Sequence, residues 1–226
     1  MDTHLLFPRR QQATREEDMP TAQNTTSSTS SSIFENLTHT IGIRFGFGGK
    51  AAGRRAEIAA AEFLYDEGVR HHWVREYAQA TRCLTECLNL LGNKAGAKVL
   101  HALGRSQYAL AVDGREKQSL ATIRQGIEEA VVCFRQASEM SKDGAPMETA
   151  EEAYRFLSDT EQAFRMVEVE IAQVERRIAS ARRLAPKSDL IEAMQALNEA
   201  KFNARHFGLA ATRAALRKAT DITSFI

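Results

Sequence analysis

Only four prolines interrupt the 226 residues of this chain, so few positions force an α-helix to stop. No apolar run approaches the roughly 18 residues that a membrane-spanning helix needs. Neither sign of charge dominates. Thirty Lys and Arg stand against 29 Asp and Glu, a formal net charge of +1. That balance provides no global attraction to nucleic acid or an anionic membrane. Cysteine is also sparse. Cys83, Cys87 and Cys133 leave one thiol over if two pair, and all three fall in helical patterns. There Cys behaves as a small buried hydrophobe, and the expectation is a reducing, cytoplasmic setting. The apolar patch Leu5-Leu6-Phe7 is too short for a secretory signal. Arg9, Arg10 and Arg15 suit a mitochondrial presequence, but Glu16, Glu17 and Asp18 oppose it.

What is present is a small pattern used three times. Tyr77, Ala80, Leu84 and Cys87 form the first copy. Ile127, Ala130, Phe134 and Ala137 form the second, and Leu190, Ala193, Leu197 and Ala200 the third. Spacings of three and four put each set on one helical face. Small residues there let a second helix approach, and large ones fill the gaps between turns. This is a surface for pairing helices.

The chain divides by composition. Residues 1–38 are polar, end in a Ser/Thr run, and read as a disordered tail. Residues 39–53 alternate Ile41, Ile43, Phe45 and Phe47 with Gly42, Arg44, Gly46 and Gly48. Period two predicts an extended docking segment, with Phe45 and Phe47 as partner-binding residues. Its Gly48-Gly49-Lys50 ending is no phosphate loop, because that motif needs Gly and a hydroxyl where Arg44 and Ala51 stand. Lys50, Arg54 and Arg55 read as polar surface at a helix start.

Helical patterning covers 54–145. A first helix is expected to Asp66, with Ile58, Ala61, Phe63 and Leu64 on its apolar side. Gly68 and Arg70-His71-His72 suggest a break. Further helices are expected over about 73–91, 95–112 and 117–141, with Gly92-Asn93, Asp113-Gly114 and Lys142-Asp143-Gly144 as stops. From 146 to 226 the pattern lengthens. Ala150, Leu157, Phe164, Ile171 and Ile178 lie seven apart, interleaved with Ala153, Thr160, Val167, Val174 and Ala181. That is a heptad seam. A second seam, from Leu190 through Ala204, Phe207 and Ala211 to Ala214, follows the turn at Pro186, with Gly208 a point where it kinks or splits. A long antiparallel hairpin buries both seams. The competing use of the 150–181 seam is as an oligomer interface.

The thrice-used pattern resembles the second helix of a tetratricopeptide repeat, best at Tyr77–Leu91 and next at Ile127–Ala137. Leu103-Gly104 and Tyr108 are similar to parts of the first helix of such a repeat. The Ala-to-Ala intervals are 50 and 63 residues (80 to 130, 130 to 193), longer than the usual repeat of about 34. Glycines also replace the turn proline. The resemblance implies an all-α fold of tetratricopeptide-like stacked helical hairpins, here followed by the long hairpin. It implies a non-catalytic scaffold that binds other proteins.

In such proteins the first helix of a repeat lines a concave groove. Lys98, His101 and Arg105 share one face of the third helix. They are therefore the candidate partner-binding residues, suited to an acidic peptide or a terminal carboxylate. Cys83 and Cys87, four apart with His71, His72 and His101 elsewhere, read as core rather than as a zinc site. No catalytic residue, metal or cofactor is assigned. The alternative readings are an α-helical enzyme or ligand-binding bundle with a pocket between hairpins, and a coiled-coil oligomerisation module.

Overall fold

Seven α-helices build the described part of the chain, with no strand among the described residues. They are α1 (Lys50–Trp73), α2 (Tyr77–Leu91), α3 (Ala97–Gly114), α4 (Leu120–Ser141), α5 (Ala145–Ala181), α6 (Lys187–His206) and α7 (Leu209–Ser224). A single 3-10 turn, Gly92–Lys94, joins α2 to α3. The structure is a computed structural model and describes residues 50–141, 144–182 and 185–224. The docking segment with Phe45 and Phe47, apart from Lys50–Gly53, lies outside them, as does the tail. Lys50–Gly53 were expected to be extended, but they open α1. The Ala-rich run that follows carries strong helix propensity back through them.

The three small-residue patterns face other helices. Ala80, Leu84 and Cys87 are buried in α2, and Ile127, Ala130, Phe134 and Ala137 in α4. In α6, Ala193, Leu197 and Ala200 are buried, and Leu190 is half-buried. Consecutive helices from α1 to α5 pack on one another. In addition α1 touches α3, and α3 touches α5. The odd-numbered helices therefore lie side by side, with α2 and α4 behind them.

The expected break at Gly68 does not occur, because α1 runs through it to Trp73. Gly68 is present for packing. A Cβ on it would lie 2.6 Å from Leu84 Cγ, so the missing side chain is the notch that seats Leu84. Gly104 does the same for Phe134, whose Cε1 would meet a Cβ at 2.8 Å. Burying Phe134 there contributes about 2–3 kcal/mol of transfer free energy. Ile58 and Phe63 are exposed among the described residues, where α1 packs mainly on α2 and α3.

The heptad seam of α5 is buried within the chain. Ala150, Ala153, Leu157, Thr160, Phe164, Val167, Ile171, Val174 and Ile178 all lie in the core. Its first half packs on α4, where Arg124 reaches Glu161 at 2.7 Å and Arg135 reaches the Tyr154 hydroxyl at 3.1 Å. Its second half carries α6 and α7, with Lys201 at 2.9 Å from Glu175. The seam is thus packed against the chain's own helices.

The second arm of the hairpin is not one helix. It splits at Phe207-Gly208, and α7 folds back on α6, with Lys218 at 3.5 Å from Glu192. Past Ala204 the predicted second seam fails. Phe207 and Ala214 are exposed, while Leu209, Thr212, Ala215, Leu216 and Ala219 are buried. The cause is a backbone contact. Gly208 packs directly on the main chain of Glu116 in the α3–α4 connection. The Ala210 N–H donates to the Glu116 carbonyl at 3.1 Å, and Arg213 pairs with the Glu116 side chain at 3.4 Å.

A Gly208→Ala substitution is expected to cost about 3 kcal/mol, because backbone on both sides must move. Gly53→Ala meets nothing within 4 Å and is expected to gain up to about 1 kcal/mol from helix propensity. Urea unfolding of the two variants beside the parent checks both signs.

Candidate functional site

The candidate site begins with how α1 ends. The Glu76 N–H donates to His71 O at 2.9 Å, and the Arg75 N–H to His72 O at 3.1 Å. These two bonds make a Schellman motif, which needs a left-handed residue, usually Gly, after the helix. Here Arg75 takes that position with φ 64°, at a cost on the order of 1 kcal/mol. Side-chain pairs brace the turn. Arg70 donates to both carboxylate oxygens of Glu67 at 3.1 and 2.6 Å, which holds that carboxyl below its usual range. His71 Nδ1 meets Glu76 Oε2 at 2.5 Å.

This turn sets one wall of a cleft of about 200 Å³. From α1 come Tyr65, Val69, His72 and Trp73. From α3 come Lys98, His101, Ala102, Arg105 and Ser106, with Leu84 of α2 behind them. The three groove residues expected from the sequence, Lys98, His101 and Arg105, therefore lie in one cleft. A second depression of about 590 Å³ continues from it and shares His72 and Arg105. It adds Arg75, Tyr77, Tyr108, Val112, Asp113 and Glu152 among others. The two together run along α3 from its first turn to its last.

The charges are sorted along that length. Lys98 and Arg105 are exposed, and among the described residues neither has a carboxylate partner. Arg75 adds a third cation in the second depression. At the far end sit Asp113 and Glu152. There Tyr108 donates its hydroxyl to Glu152 at 3.2 Å. Burial and the adjacent carboxylate push that phenol up to about 12.

Trp73, Val69, His72 and Ser106 were not identified from the sequence as site residues. Trp73 is 74% exposed at the cleft. Its ring meets the His72 ring edge-on at 6.4 Å, and Tyr77 lies 5.5 Å from His72 on another side. His72 Nδ1 lies 3.1 Å from Ser106 Oγ, and that hydroxyl donates to the Ala102 carbonyl at 2.9 Å. Ser106 has one proton and gives it to Ala102, so the imidazole must be the donor at Nδ1. Ser106 has no exposed surface. Its contact with His72 positions the ring and offers no nucleophile to a substrate. His101 is held differently, edge-on against Phe134 at 5.8 Å.

Cys83 and Cys87 lie on the α2 face that meets α1 and α3. Cys87 is buried and Cys83 half-buried in an apolar cluster with Ala61, Leu64 and Val99. Among the described residues no group of three or more His, Cys, Asp or Glu side chains is placed to hold a metal ion. Burial raises all three thiols, Cys133 to about 11. No helix among the described residues is long and apolar enough to cross a membrane. No protein-family model, curated protein or solved structure matches the chain.

Two outcomes are expected. Arg75→Gly relieves the left-handed strain and raises stability by up to about 1 kcal/mol in urea unfolding, while removing a cation from the groove. In the folded protein Cys133 reacts with a disulfide reagent about a hundredfold more slowly than in the unfolded chain, following its raised thiol. Timed labelling with peptide mass readout measures this, with Cys83 modified first.

Proposed function

We propose that the protein is a non-catalytic helical scaffold that binds an acidic linear segment of another protein in the groove along α3. The observation that carries this reading is the pair Lys98 and Arg105, exposed and lacking a carboxylate partner among the described residues, beside the exposed Trp73. Cations on a protein surface usually find acidic neighbours. Two left unmatched on one wall of a concave cleft suit a carboxylate-bearing ligand, whose bonds to them are charge-assisted. The first turn of α3 adds backbone N–H groups with no side-chain cap near Lys98, and their partial positive charge acts in the same sense. Asp113 and Glu152 at the far end favour a segment that is acidic at one end only.

The tetratricopeptide-like reading is part of this proposal. Its support is the glycine notch, used at Gly68 and again at Gly104, 36 residues on (104 − 68). That interval is close to the repeat length of about 34, with Gly on the first helix and Ala-x-x-x-large on the second. Ala80 with Leu84 and Ala130 with Phe134 fill the second-helix positions. A cytoplasmic setting is proposed with it, on the three unpaired thiols.

Trp73 is the sole tryptophan, so its emission reports on the cleft directly. Titration with poly-aspartate at low salt is expected to change that emission saturably. Added salt weakens the effect. The double substitution Lys98→Glu, Arg105→Glu weakens binding at least about tenfold by replacing attraction with repulsion. An unchanged Trp73 signal with the parent protein sinks the proposal.

A further inference from the structure

We infer that His72 is a ligand-contact residue of the cleft, and that its Nε2 takes up a proton when a carboxylate occupies the space between it and Arg105. This rests on the acidic-ligand reading above and specifies how the same site responds to pH. Nδ1 is committed to Ser106, which is itself committed to Ala102. The ring is therefore held in one tautomer, and Nε2 has no hydrogen-bond partner among the described residues. His72 lines both halves of the groove, as does Arg105. Among the described residues no other side chain does so.

The surroundings keep Nε2 unprotonated while the groove is empty. On α3 the facing groups are Lys98, His101 and Arg105, and the turn adds Arg75. On α2 the neighbour is the Tyr77 phenol, and on its own helix Tyr65. Among the described residues the carboxylates lining the groove are Asp113 and Glu152 in the second depression, and Glu152 holds Tyr108. Burial first, and the Arg105 charge second, depress the imidazole below its ordinary value of 6.5. In the empty protein His72 is thus neutral above that depressed value. Folding stability falls as pH drops through it, because the unfolded chain binds the proton more readily. A bound carboxylate opposes the Arg105 field and stabilises the imidazolium, so the proton is taken up with the ligand. Affinity then rises as pH falls through the ordinary histidine range, and it levels off once His72 is protonated in the empty protein too.

The test uses the full chain, the Trp73 signal and poly-aspartate, whose carboxylates stay ionised from about pH 7.5 to about pH 5.5. Binding is expected to tighten roughly tenfold over that range for each unit by which the ligand raises the His72 pKa. Histidine-ring NMR should show His72 titrating higher with poly-aspartate than without. His72→Asn keeps a donor for Ser106 and cannot titrate. It is expected to bind at the higher pH and to lose the tightening. Tightening that persists in His72→Asn, or that follows the His101 resonance instead, overturns the inference while leaving the acidic-ligand reading intact. No binding by the parent at either pH overturns both.

Discussion

Two glycines set how closely the helices approach. Leu84 of α2 enters the notch at Gly68 of α1, and Phe134 of α4 enters the notch at Gly104 of α3. At both places any side chain would hold the helices apart. The same contact orients the groove. Three residues before each glycine, one after it and four after it lie about 40–100° round the helix from the notch, on the same flank. On α1 these are Tyr65, Val69 and His72. On α3 they are His101, Arg105 and Tyr108. All six line the groove. Helix pairing behind and the cleft in front are therefore one geometric consequence, and a change at either glycine shifts both walls.

A second close approach ties the C-terminal helices to this body. Gly208 and Ala210 engage the Glu116 main chain, so the end of α3 is held from outside the α1–α4 stack. The long α5 joins the two regions. Its early turns face α3 and α4, and its late turns face α6 and α7. Glu152, on those early turns, closes the acidic end of the groove. Packing far from the cleft thereby fixes where the negative end of the groove lies relative to its cations.

Local periodicity was legible in much of the helical region. The α5 seam and the Ala130/Phe134 face read correctly because helical spacing alone brings their members together. Lys98, His101 and Arg105 were visible for the same reason. The glycines were misread. Gly68 looked like a break because glycine's local meaning is conformational freedom, whereas its role here is the space it leaves for Leu84, 16 residues on. The Ala-to-Ala intervals gave no sign of the glycine spacing, because Gly and Ala are 12 residues apart in α1–α2 (68 to 80) and 26 apart in α3–α4 (104 to 130). The second seam failed past Ala204 because the competing contact at Glu116 lies far away in sequence. Trp73 and His72 gave no signal because they come to line the cleft only when α1 and α3 lie side by side.

The groove shows where local and global preferences part. Arg75 keeps a left-handed backbone in a position that glycine fills without strain. Such outliers persist only where the surroundings hold them, and they concentrate at functional surfaces. Lys98 and Arg105 stand without acidic partners among the described residues although Glu and Asp are common throughout the chain. Neither feature stabilises the fold. An unpaired exposed cation costs little in water, but it also contributes nothing until an anion arrives. A strained arginine, two unpartnered cations, an exposed tryptophan and a tautomer-locked histidine on adjoining walls have little role in the empty protein. On the proposed function they acquire one when a carboxylate enters, because that one ligand would match the cations and let Nε2 take up a proton.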